Sequence, residues 1–126
     1  MSCDCNEDRV ELVIKQGEQR SYIFNITDRE GNPVNLSGCT IEIQVKNYPL
    51  YKVKSLIEII LSQANTENGY INNVDGGQFT LIITEEQSSS LPPKDYYLII
   101  TLIKSDSRII ISGEGSSSGI LVVNRQ

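Results

Sequence analysis

Thr40-Ile41-Glu42-Ile43-Gln44-Val45-Lys46 alternates apolar and polar residues without exception. A strict period of two is the signature of a pleated strand, whose successive side chains point to opposite faces, and it fits no helix stripe. The stretch therefore predicts Ile41, Ile43 and Val45 against a core, with Glu42, Gln44 and Lys46 in water. The same reading extends upstream. Over residues 9–16, Val10, Leu12 and Ile14 alternate with Glu11, Val13 and Lys15, and Gly17-Glu18 breaks the run as a turn or bulge would. Residues 20–27 turn Tyr22, Phe24 and Ile26 one way. Asp28-Arg29-Glu30-Gly31-Asn32-Pro33 follows as a turn, because Gly31 tolerates positive φ and Asp28 and Asn32 can bond nearby backbone.

Downstream, residues 78–84 place Phe79, Leu81 and Ile83 inward. Glu85 to Ser90 reads as a polar crossover, closed by Leu91-Pro92-Pro93. Residues 96–103 are apolar on both faces apart from Thr101, and a turn at Ser105-Asp106-Ser107 leads to a strand over 108–112. A last strand covers 120–123. Residues 47–73 are less decided. Leu50, Val53, Ile57, Ile60 and Leu61 fit helical spacing, whereas Leu56, Glu58 and Ile60 suit a strand, and β-branched content favours the strand over a short helix. Residues 63–77 are rich in Asn and Gly and read as a long loop with a short strand at Tyr70-Ile71. The total is seven to eight short strands and no helix, which two stacked antiparallel sheets would bury.

The chain of 126 residues suits one domain, with residues 1–8 as a flexible acidic arm and residues 9–126 as a single β-sandwich. A hydrophobic fraction of 39% is enough to build a core. A net charge of −5 argues against a nucleic-acid binder held by phosphate neutralisation. Histidine is absent, which removes Ser-His-Asp and Cys-His catalysis, His-ligated zinc and the histidine pH switch together. Met1 to Asp8 lacks the basic and apolar regions of a secretory signal, and no run approaches a membrane span. Cys3, Cys5 and Cys39 then read as reduced thiols, with Cys39 a small buried residue.

Other motifs resolve to the bland reading. Gly113-Glu114-Gly115-Ser116-Ser117-Ser118-Gly119 lacks a Walker lysine and precedes a strand, so it is a hairpin loop. Asn72-Asn73-Val74-Asp75-Gly76-Gly77 carries oxygen ligands but not the alternating carboxylates or terminal Glu of an EF-hand, leaving at most a weak cation site. Glu85 and Glu86 are neighbours on an extended segment, where side chains diverge and share no substrate. The sequons Asn25-Ile26-Thr27 and Asn35-Leu36-Ser37 carry little weight without a secretory signal. No catalytic residue, cofactor or metal ligand is expected.

The order of a strand, a Gly-marked break, an aromatic strand, Asp28-x-x-Gly31-x-Pro33-Val34-Asn35-Leu36-Ser37-Gly38 and an alternating strand resembles a known family. It is similar to the small immunoglobulin-like domains of tailed-bacteriophage virion proteins, including the amino-terminal domain of baseplate upper proteins. Asn35 and Ser37 stand where that family has Asp and Thr, and Lys94-Asp95 stands where Gly is usual. Leu91, Tyr96 or Tyr97, the turn near Asp106, and Gly113-Glu114-Gly115 before Ile120-Leu121-Val122-Val123 match its second half. The resemblance implies an all-β, immunoglobulin-like antiparallel β-sandwich. In it Pro33, Val34, Asn35, Leu36, Ser37 and Gly38 serve folding: Leu36 plugs one end, Ser37 caps local backbone and Gly38 permits a bend. Tyr96 takes a tyrosine-corner role.

Alternation around Thr101 turns Tyr97, Ile99 and Ile103 away from the core, and Ile23 and Ile82 are apolar outward positions on other strands. These five form the candidate assembly interface. The expected function is a non-enzymatic structural protein of a tailed-phage virion, made in the host cytoplasm. It would dock on other virion proteins as a homo-oligomer or in multiple copies, without nucleic acid or membrane. The alternative is a carbohydrate- or receptor-binding module using Tyr48, Tyr51 and Tyr70. A small hydrolase would need two acidic groups converging in a cleft.

Overall fold

A computed structural model describes residues 10–28, 30–48, 54–105, 107–112 and 119–125, the side chains of 109–112 excepted. The expected arm over residues 1–8, Cys3, Cys5, Tyr51, Asp106 and most of the 113–119 loop lie outside the described residues.

The alternating runs fold as read. Strands β1 (Val10–Lys15), β2 (Arg20–Asn25), β3 (Cys39–Lys46), β6 (Gln78–Ile83), β7 (Lys94–Lys104), β8 (Ser107–Ser112) and β9 (Gly119–Asn124) fall on the sequence patterns. The region between β3 and β6 holds two strands, β4 (Ile57–Leu61) and β5 (Gly69–Asn73), and the described strands number nine. In β4 the sequence Ile-Glu-Ile-Ile-Leu alternates buried and exposed, so the period of two wins over the helical spacing there.

One sheet runs β1-β9-β7-β3-β4, with β8 also paired to β7; the other runs β2-β6-β5. This is an immunoglobulin arrangement, with strands in the positions G (β9), F (β7), C (β3) and C′ (β4) in one sheet and B (β2), E (β6) and D (β5) in the other. The long β7 takes β9 along its first half, over Lys94 to Tyr97, and β8 along its second, over Ile100 to Lys104. Ladders are antiparallel except β1 with β9, which is parallel from Val10–Gly119 to Lys15–Asn124. Strands so far apart in sequence leave no local trace of their pairing.

Inward residues of both sheets form one core. Leu12, Ile14, Ile41, Ile43, Val45, Leu98, Ile100 and Leu121 come from the large sheet, and Ile71, Phe79, Leu81 and Ile83 from the small one. Phe24 and Phe79 are register partners whose rings stack with centroids 4.8 Å apart. Leu98, two residues after Tyr96, is fully buried where antibody domains carry the second cysteine of the inter-sheet disulfide. Cys39 is a free buried thiol.

The polar crossover is a correction to the sequence reading: Glu85–Ser89 is a short helix, α1. Thr84 and Gln87 form a capping box, in which the Gln87 N–H donates to Thr84 Oγ1 at 3.2 Å and the Thr84 N–H to Gln87 Oε1 at 3.0 Å. Glu85 and Glu86 are both exposed in its first turn. Lys46 is a second correction, being buried rather than solvated. It ends β3 opposite Tyr97, where a long lysine stem can cover apolar surface.

Candidate functional site

Two sheet faces and two loop-bearing ends are the surfaces this fold offers. On the outer face of the large sheet, Tyr97, Ile99, Thr101 and Ile103 alternate with the core residues Tyr96, Leu98, Ile100 and Leu102. Outward orientation does not make them all exposed. Ile99 retains 1% of its surface and Thr101 is buried with it, while Tyr97 keeps 41%. Ile103 is half-buried. Beside them Arg108 spans to Glu42 at 2.5 Å across β8, β7 and β3.

Ile23 and Ile82 belong to the small sheet. Ile23 is 66% exposed on β2 and Ile82 half-buried on β6. Around them runs a polar ladder: Gln78 donates to Asn25, Asn72 to Gln78, and the Thr80 hydroxyl to Asn72 Oδ1. The five expected interface residues therefore do not gather in one patch. They divide between the outer faces of two different sheets. Alternation along a strand tells which side a residue takes, but not which sheet the strand joins.

The folding motif occupies one end. Pro33 bridges Thr27, and the Val34 N–H donates to the Ile26 carbonyl at 3.0 Å. Leu36 is fully buried, and its N–H donates to the Val74 carbonyl. The local cap comes from Asn35, not from Ser37: Asn35 Oδ1 accepts the Ser37 N–H at 2.8 Å. Gly38, at φ 70°, completes the turn that returns the Cys39 N–H to the Leu36 carbonyl. A pocket of about 430 Å³ between this turn and the β7–β8 hairpin is lined by Val34, Asn35, Cys39, Leu102, Lys104 and Ser105.

The opposite end is held by side-chain bonds to backbone. The Tyr96 hydroxyl donates to the Pro92 carbonyl at 2.6 Å, with the ring buried, which is a tyrosine corner; burial raises its pKa. Ser88, fully buried on α1, accepts the Gly17 N–H at 3.0 Å and donates to the Glu18 carbonyl at 2.7 Å. Gln16 Nε2 donates to the Leu91 carbonyl at 3.1 Å. Tyr22 donates its hydroxyl to the Val13 carbonyl at 2.8 Å. Burial pushes the Tyr22 pKa up to about 12, against a lowering by Arg20 and with a further raising by Glu18. A second pocket of about 380 Å³ lies here, lined by Asn47, Leu56, Leu91, Pro92, Lys94 and Tyr96.

Ser88 and the capping box were not singled out from sequence, although Thr84-x-x-Gln87 is a readable helix-start signature. Of the aromatic residues considered for a glycan, Tyr48 is exposed after β3 and Tyr70 half-buried on β5. In the Asn72 to Gly77 loop, Asn73 Oδ1 is taken by the Gly76 N–H at 2.9 Å. Among the described residues no three His, Cys, Asp or Glu side chains gather in a metal-binding group. No helix among them is long and apolar enough to cross a membrane.

Strand order and tyrosine corner together define an immunoglobulin-like β-sandwich. Among solved structures the chain is similar to the N-terminal domain of phage TP901-1 ORF48, with a TM-score of 0.56 at 8% identity over 92% of this chain and 94% of that one. An endo-fucoidan hydrolase from glycoside hydrolase family 107 matches at TM-score 0.45 and 12% identity, over 94% of this chain and 13% of that one. The extracellular domain of the voltage-gated sodium channel beta4 subunit matches at 0.42 and 10%, over 100% and 97%. At such identities the likeness is one of fold. No known protein family and no curated protein matches the sequence.

Proposed function

We propose that this chain is a non-enzymatic structural protein of a tailed-phage virion. It is an immunoglobulin-like module that docks through strand faces or edges onto capsid, neck, tail or baseplate subunits and is present in several copies. The observation that carries the reading is the sharing of one two-sheet architecture with a phage protein domain over nearly the whole of both chains. The Pro33 to Gly38 motif and the tyrosine at the head of β7 support it from the sequence side. Binding of this kind needs apolar strand surface and backbone edges rather than a proton carrier, which agrees with a chain that has no histidine.

Mass spectrometry of purified virions from the encoding genome tests the role. The protein is expected to co-purify with particles at a fixed ratio to a major structural protein. Abundance in the lysate with none in purified particles would refute the assignment.

A further inference from the structure

The two ends of the large sheet's strand path are finished differently. At β1 outward backbone groups at Val13 and Lys15 are occupied: the Tyr22 hydroxyl and Arg20 guanidinium both donate to the Val13 carbonyl, at 2.8 and 3.0 Å. The Lys15 N–H donates to the Glu18 carboxylate at 2.9 Å. Side chains thereby block the second half of that edge against further pairing. At β4 the ladder with β3 is the only one among the described residues, and the open edge ends at Leu61, since the Ser62 carbonyl just beyond accepts the Ile71 N–H at 2.7 Å. The strand carries no lysine, proline or bulge. Its single charge, Glu58, accepts a bond from Gln44 Nε2 at 3.3 Å, which draws it back over its own sheet. Next to it Ile60 is 52% exposed, and Leu56 is 46% exposed at the strand's entry.

We propose that β4 pairs with β4 of a second copy, antiparallel, about a two-fold axis at Ile60. A two-fold contact uses one patch twice, so it requires an edge complementary to itself. Continuous sheet also requires outward residues to face outward residues, which allows registers only in steps of two. A register centred on Glu58 sets two carboxylates directly opposite and is unfavourable. One centred on Ile59 leaves them as diagonal neighbours about 7 Å apart. The register centred on Ile60 joins the two exposed isoleucines across the axis, matches Ile59 with Leu61 of the second copy, and separates the Glu58 positions by about 13 Å along the strand. Charge and exposure thus select one register. The ladder is short, so the contact is at the small end of interface sizes and is reinforced where copies are held close. This pairing stands on the edge itself and does not depend on the virion role.

The test is cysteine cross-linking in the full chain carrying Cys3→Ser and Cys5→Ser. Under mild oxidation Ile60→Cys is expected to give a covalent dimer, because directly opposed strand residues have Cα atoms within disulfide reach, about 4.5–5.5 Å. Glu58→Cys should yield at least tenfold less. Sedimentation equilibrium of the unmodified chain should show monomer and dimer exchanging with concentration. Ile60→Lys should remove the dimer and leave the thermal midpoint unchanged, since it substitutes an exposed side chain. A chain that stays monomeric at the highest soluble concentration would overturn the pairing. So would equal cross-linking at both positions, a dimer indifferent to Ile60→Lys, or open-ended oligomers in place of dimers.

Discussion

Replacing Ser88 by alanine deletes one oxygen from the fully buried side chain that joins α1 to the β1–β2 turn. In the turn two backbone groups lose their partner: the Gly17 N–H, which donates to Ser88 Oγ at 3.0 Å, and the Glu18 carbonyl, which accepts from it at 2.7 Å. A buried polar group left unpaired costs about 1–3 kcal/mol. Gly17 and Glu18 are half-buried, so water recovers part of this and the lower end applies to each. Alanine returns roughly 0.5 kcal/mol through its better helix propensity. The net loss is about 1.5 kcal/mol, or roughly 4–8 °C in thermal midpoint for a domain of this size. Urea denaturation followed by far-UV circular dichroism should show a lower midpoint at unchanged slope. Ser89→Ala, one residue on and exposed, serves as the control and should stay within about 0.5 kcal/mol of the parent. A Ser88→Ala protein as stable as that control would refute the bridging role.

Three further outcomes follow from the same geometry. Tyr96→Phe removes the bond to Pro92 while keeping the buried ring, and should cost about 1–2 kcal/mol in the same denaturation assay. Tyr22 and Tyr96 hold their protons more tightly folded than unfolded, so their contribution is complete below the ordinary tyrosine value near pH 10. It is lost as pH rises through their folded values, about 12 for Tyr22, and absorbance at 295 nm should show a late ionisation that Tyr22→Phe diminishes. Gly69→Ala would place a Cβ 1.9 Å from the Thr80 carbonyl oxygen at φ 119°, and should cost more than about 3 kcal/mol or prevent folding. Gly31→Ala meets open space and bears only the strain of its φ of 88°, about 1–2 kcal/mol, by thermal denaturation of the pair.

The strands were the most legible part of this molecule because each carries its own evidence. Ile41, Ile43 and Val45 name their inward face without reference to any other element, and Val10 to Lys15 does the same. What depends on a distant partner left no such mark. The parallel ladder of β1 with β9 joins residues more than a hundred positions apart. The division of Ile23 and Ile82 from Tyr97, Ile99 and Ile103 follows from sheet membership, which alternation does not encode. The burial of Lys46 and Ile99 depends on neighbours across the sheet face rather than on the strand's own pattern. Helix α1 was missed for another reason: its Ser-rich turn has no apolar stripe, and only the Thr84–Gln87 pair announces it. The edges were missed as well. The blocking of β1 depends on Tyr22, Arg20 and Glu18 reaching over from the next turn and strand, and the exposure of β4 on its place at the end of the sheet.

The parallel pairing of β1 with β9 has a mechanical meaning. Its register sets Val10 beside Gly119 and Lys15 beside Asn124, so the entry to β1 and the exit from β9 lie at opposite ends of one ladder. Tension applied through the chain at these two points runs along the strands and loads the ladder's hydrogen bonds together in shear. An antiparallel pair pulled from one end would instead unzip a bond at a time. A domain closed in this way resists extension through the geometry of its outermost ladder, independently of how stable its core is at equilibrium.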